Sequence, residues 1–257
     1  APLSSQGALA KNANLGFYFN ETYTEFDSAT DAIKHFDLSY IGLDMFVERG
    51  GNHQKKFILK PKSEDYSPFE LRHASSGIQT TAPLVAMVNY YAQAFDFKLA
   101  QKRSIIDLLF EKNLTMQYRP EMELADMPRY VHIHIEEPEL SLDPTSQIQL
   151  LNELVRLAFY AKVDDRQIGL VLATHSPYIA NSLNLLMKAH DCGTSIQGAH
   201  VAYDDLSVYQ IENGRVHCLK VKNMHYVNTD RLSEDINFIY DKYQELKSLQ
   251  NEKSFGE

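Results

Sequence analysis

Apolar and polar positions alternate most cleanly from Val131 to Ile135, where valine and isoleucines share one face and His132 and His134 the other. That pattern predicts a strand. A second strand follows from the unbroken apolar run Ile168 to Ala173, which reads as buried. Between and after them the period lengthens. Asp143 and Pro144 are suited to cap and open a helix reaching Tyr160, and Ser176 and Pro177 to open another reaching about Lys188. The apolar stretch Ala82 to Phe97 predicts a further helix, with Pro83 marking a kink or a start later than Ser76. Gln101 to Met127 reads as mostly helical and polar, ending at Pro128.

Toward the start, Tyr40 to Glu48 and Lys55 to Lys60 predict a hairpin turning at Gly50-Gly51. Gly16 to Asn20 reads as a short strand, and Ser28 to Asp31 as a capping box opening a short helix to about Phe36. Toward the end, His200 to Tyr203, Ser207 to Glu212 and Val216 to Val221 read as strands, the last two joined by the turn Glu212-Asn213-Gly214. Leu232, Ile236, Ile239, Tyr243 and Leu246 recur at helical spacing and predict a packing face.

At 257 residues, 44% hydrophobic and 23% charged, the chain can bury a proper core. The elements read as one lobe over residues 1–257. No apolar run reaches the roughly 18 residues of a membrane span. The opening APLSSQGALA lacks the charged and apolar regions of a secretory signal, and a first residue Ala1 fits a truncated or processed chain. Cys192 and Cys218 then read as reduced thiols of a cytoplasmic protein. A net charge of −9 weighs against a dominant nucleic-acid surface here, though it leaves such binding open in a longer protein. Lys55, Lys56, Lys60 and Lys62 read as a charge-protected sheet edge.

Three segments carry candidate chemistry. In VHIHIEEPELSLD, Val131 to Asp143, the strand ends on Glu136 and Glu137. Ligands of open α/β sheets bind at the carboxyl ends of strands, where one carboxylate can hold Mg²⁺ and its neighbour orient a water. In ATHSP, Ala173 to Pro177, His175 ends the second strand, where an imidazole can contact a phosphate or the attacking water. In SSGIQT, Ser75 to Thr80, a hydroxyl, a glycine and free N–H groups at a helix start suit an anion, although ordinary capping explains them too.

Taken in order, these segments resemble the ABC-type ATPases of the AAA, SMC and RecF grouping, particularly bacterial stand-alone AAA family ATPases. By that resemblance Glu136 is the Walker B acid that holds Mg²⁺, Glu137 the catalytic base, Asp143 the D-loop acid and His175 the switch histidine. Ser75 to Gln79 matches the LSGGQ signature, with Ser76, Gly77 and Gln79 as ATP contacts, and Ile78 stands where that signature has glycine. The Walker B acid is also glutamate where aspartate is commoner. The likeness spans about Ser75 to Asn184 and implies an α/β P-loop NTPase fold of ABC type, mainly parallel, with a small β-hairpin region. It also implies ATP sandwiched between the subunits of a homodimer. The long spacer between Gln79 and Glu136 points to the non-transporter branch.

One motif is missing. A P-loop needs G-x-x-x-x-G-K-[ST], and no Gly-Lys pair occurs in the chain. The expectation is a later portion of an ATPase whose Walker A segment lies elsewhere, with the isolated chain inactive. Two alternatives remain. One is a non-catalytic assembly or sensing lobe on the same fold. The other is a metal-dependent hydrolase built on His132, His134, Glu136 and His175, for which Glu136-Glu137 in place of Asp-His breaks the metallo-β-lactamase pattern at its centre.

Overall fold

Short alternating segments joined by tight turns build the first sheet. The computed structural model describes residues 17–50, 54–112, 129–163, 166–221 and 224–254. β1 (His35–Leu38), β2 (Leu43–Arg49), β3 (Lys55–Pro61) and β4 (Phe69–Glu70) pair antiparallel in that order. Phe36, Leu38, Leu43, Met45 and Leu59 are buried on one face, and the β1–β2 turn closes on Gly42 at φ +70°. The expected hairpin is thus the centre of a four-stranded meander. β3 lies between β2 and β4, but β4 covers it only at Ile58 and Leu59. Of its lysines, Lys55 reaches Asp27 at 2.7 Å and Asp31 at 3.2 Å.

Two elements differ from expectation ahead of this sheet. α1 (Phe17–Ala32) is helical where a short strand was expected, and it runs straight through Ser28. Phe26, Ala29 and Thr30 are buried at i, i+3 and i+4, so an inward stripe carries the helix past Ser28, and the Thr30 hydroxyl bonds back to the Phe26 carbonyl. His35 to Leu38 is strand rather than helix end, because Phe36 and Leu38 face inward while their neighbours face out.

α2 (Ser76–Gln93) starts at Ser76 and continues through Pro83, with Gly77, Thr81, Val85 and Val88 among its buried residues. Pro83 cannot donate to the Gln79 carbonyl one turn back, yet tertiary burial keeps the helix going. α3 (Phe97–Glu111) covers the start of the expected polar helix, whose remainder lies outside the described residues. β5 (Tyr130–Glu136) pairs parallel with β6 (Gln167–Ala173), Tyr130 opposite Gln167 and Glu136 opposite Ala173. Between them α4 (Pro144–Val155) widens into a π turn at Arg156–Tyr160. One apolar core joins the four-stranded sheet to α2, α4 and the inner face of β5, through Leu59, Val85, Ile135, Leu150 and Leu154.

The sequence predicts a mainly parallel sheet. Among the described residues parallel pairing is confined to β5 and β6, and the other pairs are antiparallel. Connection length accounts for this: parallel neighbours need a crossover such as α4, whereas β1 to β4 follow one another through loops too short for one.

These elements belong to the first of two compact units, Ala1–Thr174 and His175–Glu257, where the sequence reads as one lobe. In the second, α5 (Pro177–Asp191) is capped by Ser176, whose side chain accepts from the Tyr178 and Ile179 N–H groups. β7 (Tyr209–Glu212) and β8 (Arg215–Cys218) form a hairpin through Asn213 and Gly214, both at positive φ as a type I′ turn demands. β9 (Lys220–Val221) pairs with β10 (Tyr226–Val227). His200 to Tyr203 is not a strand: the chain turns at Tyr203–Asp205, and the Lys220 ammonium bonds the Tyr203 and Leu206 carbonyls at 2.6 Å each. α6 (Asp230–Ser254) follows, rooted by Thr229 on Asn181 and by a two-way bond between Asn184 and the Val227 backbone. No helix among the described residues is long and apolar enough to cross a membrane, and Cys192 and Cys218 are free thiols.

Candidate functional site

The acidic turn begins where β5 stops. Glu136 is the last paired residue, exposed on the same face as His132 and His134. Glu137 donates its N–H to the Ala173 carbonyl at 2.8 Å, then departs from strand geometry at φ +46°. A glutamate there is backbone strain of the kind that accumulates at functional sites. Two tight turns follow, closed by Leu140 N–H on the Glu137 carbonyl at 3.1 Å and Leu142 N–H on the Glu139 carbonyl at 3.0 Å. Ser141 sits at φ +62° inside the second turn. The chain thus reverses within seven residues and leaves both carboxylates at the carboxyl end of a parallel strand.

Asp143 caps α4, accepting from the Thr145 N–H at 2.9 Å and the Ser146 N–H at 3.2 Å. The Ser146 hydroxyl beside it, aided by those backbone donors, holds its carboxyl below the usual aspartate range. Asp143 is therefore a satisfied helix cap in this chain.

The glycine-bearing turn meets the acidic turn directly. A Cβ added at Gly77 would sit 2.6 Å from the Ser141 carbonyl oxygen and 2.8 Å from Leu142 Cδ2, so glycine is needed for the approach. Two segments far apart in sequence, Ser75 to Gln79 and Glu137 to Asp143, are thereby brought together in one unit. Ser75 caps α2 through the Ile78 N–H, which leaves Ser76 exposed at the first helical position and Gly77 buried. The Gln79 side chain turns back, donating to the Arg72 carbonyl at 3.1 Å and the Ala74 carbonyl at 2.8 Å. Its amide nitrogen braces the approach to α2, a local role that its sequence position did not reveal.

Sequence reasoning missed two residues that hold this junction. Tyr40 donates its hydroxyl to Thr81 at 3.0 Å, and Thr81 donates to the Gly77 carbonyl at 2.9 Å, all buried. Burial pushes the Tyr40 hydroxyl pKa well up, which keeps it neutral and a donor. The Thr81 step is visible in sequence as i, i+4 spacing. Tyr40 carries no such signal, because it arrives from the β1–β2 turn.

His175 is exposed and opens the second unit. On the open face of the parallel pair, Tyr130 and His132 stack edge to face at 4.4 Å, and the His132 and His134 rings lie 6.1 Å apart. Gly169 lets His132 lie close, since a Cβ there would meet its Nδ1 at 2.8 Å. Among the described residues no three His, Cys, Asp or Glu side chains gather as a metal cage. Mg²⁺ asks for less, one or two carboxylates with water and phosphate oxygens completing the shell. The exposed Glu136 carboxylate fits that requirement.

No protein-family model matches the chain, and no curated protein matches it.

Proposed function

We propose that this chain is the acid-bearing portion of an ABC-type AAA family ATPase. The observation that carries the reading is the contact of Gly77 with Ser141 and Leu142, which seats a signature-like helix start beside the acidic turn. Two motifs recognised separately in sequence lie side by side in one unit, so that one subunit can offer the signature-like turn to its partner's nucleotide while its acids serve its own. Strain at Glu137 adds support, since that backbone is held against its preference.

In this reading Glu136 holds Mg²⁺ and Glu137 accepts a proton from the attacking water. His175 contacts the γ-phosphate, and Ser76 and Gly77 offer N–H and hydroxyl donors to the nucleotide of a partner subunit, completing a homodimeric sandwich. Mg²⁺, when bound with ATP, supplies charge neutralisation on the phosphates. Asp143 acts through α4, which it caps, and Gln79 through the turn it braces. The phosphate-gripping Walker A segment comes from polypeptide outside these 257 residues, and the setting is cytoplasmic. The chain alone is inactive.

Two measurements test this. Residues 1–257 alone should show no steady-state ATP turnover. Joined to a Walker A segment, the protein should hydrolyse ATP, and Glu137→Gln should cut the rate by at least about a hundredfold, the lower end of the range for losing a general base. An assembled protein that ignores Glu137→Gln sinks the reading.

The contending reading, an assembly lobe without catalysis, fits the missing P-loop equally well. Unimpaired partner binding by the Glu137→Gln protein, with no turnover in the wild type, would favour it.

A further inference from the structure

The later part of the stripe expected to form a packing face is exposed. Ile239, Tyr243 and Leu246 on α6 are 68%, 62% and 64% exposed, and Phe238 and Tyr240 beside them 62% each. In sequence Leu232, Ile236, Ile239, Tyr243 and Leu246 follow one another at intervals of four, three, four and three. That is a heptad seam, and a heptad seam fits another helix of the same repeat. A lipid surface is a poor match, because α6 carries six acids against four bases and lacks a basic polar face.

Charge indicates how a second copy fits. From Asp230 to Asp241 the helix has four acids and one arginine, and from Lys242 to Ser254 three lysines and two glutamates. Antiparallel pairing sets the acidic half of each helix against the basic half of the other and opposes the helix dipoles. Centred on Asp241, it places Ile239 against the partner's Tyr243 and Leu246 against the partner's Ile236. Lys242, brought near its own mate, is already paired with Glu245 at 2.7 Å.

We propose that α6 is a self-association helix through which two copies of this chain pair antiparallel, without nucleotide. Pairing along the seam takes on the order of 100 Å² from each of its five apolar side chains. Together the two copies bury about 1,000 Å², the low end for a specific interface, so the dimer dissociates on dilution. The roots at Thr229 and Val227 hold the start of α6 to its own unit and leave Ile239, Tyr243 and Leu246 exposed. Nothing in this association depends on the ATPase reading.

Sedimentation velocity on the full chain, without nucleotide and up to about 0.5 mM, a range that populates weak complexes, should show a reversible monomer–dimer equilibrium. The double variant Ile239→Glu, Leu246→Glu should be monomeric throughout, with an unchanged circular dichroism spectrum. A wild type that stays monomeric overturns the proposal, and so does a dimer that survives the double substitution. Orientation is read in a Cys192→Ser, Cys218→Ser background under a mild oxidant. Ile239→Cys mixed with Tyr243→Cys should form a mixed disulfide, whereas Ile239→Cys linking only to itself would mean parallel helices and overturn the antiparallel arrangement.

Discussion

α2 and α6 both present apolar residues at helical spacing, but only α2 is covered. Gly77, Val85, Ala86 and Val88 of α2 are buried under strands and helices that come from other parts of the chain. On α6, Ile239, Tyr243 and Leu246 stand more than 60% exposed. Periodicity therefore settles which face of a helix is apolar, while distant segments decide whether anything meets that face.

The contrast predicts unequal responses to substitution. Val88→Asp should have the largest effect, because a carboxylate replaces a side chain of 0% exposure in α2. An unpaired buried charge should cost more than about 4 kcal/mol and abolish cooperative thermal unfolding, as followed by circular dichroism.

Gly77→Ala comes next, at about 2 kcal/mol, since the added methyl meets backbone at Ser141 that cannot move without shifting the turn. Gly169→Ala sharpens the point. Its nearest neighbour lies at a similar distance but is the ring of His132, which can swing away, so the loss should stay below about 1 kcal/mol. Equal urea midpoints for the two variants would show that the junction is not held by close approach.

A smaller effect concerns acid. The Asp143 carboxyl is lowered by Ser146 and the backbone donors at the start of α4, so its folded value lies below the ordinary 3.8. Its stabilisation is complete above that value and disappears as pH falls through the lower folded one. Asp143→Asn should remove this part of the acid dependence in melts taken below pH 3.8. The smallest effect is expected at α6: Leu246→Asp should change unfolding free energy by less than about 0.5 kcal/mol at concentrations where the chain is monomeric.

Local chemistry made part of this molecule legible. Asp143-Pro144 and Ser176-Pro177 announce helix starts within two residues, and both are caps in the structure. The strand ending at Glu136 was equally plain, since alternation and the following Pro138 lie within a few residues. Long-range facts were not legible. The descent of α1 through Ser28 depends on burial of Phe26 and Ala29, and the strand at His35 on its pairing with Phe46. The contact between Gly77 and Ser141 joins segments whose separation in sequence gives no hint of it. The motif around Gln79 marks it as an ATP contact, but nothing in the sequence shows that its side-chain amide also bonds the Arg72 and Ala74 carbonyls.

Glu137 places two demands in opposition. Its φ of +46° is a conformation in which glycine or asparagine would rest more easily. A library sorted for heat resistance alone would therefore drift away from glutamate here, toward a calmer backbone without the acid. Ancestral or consensus repair guided by folding energy would erase this carboxylate early, so any thermostable derivative should be built with position 137 left out of the design.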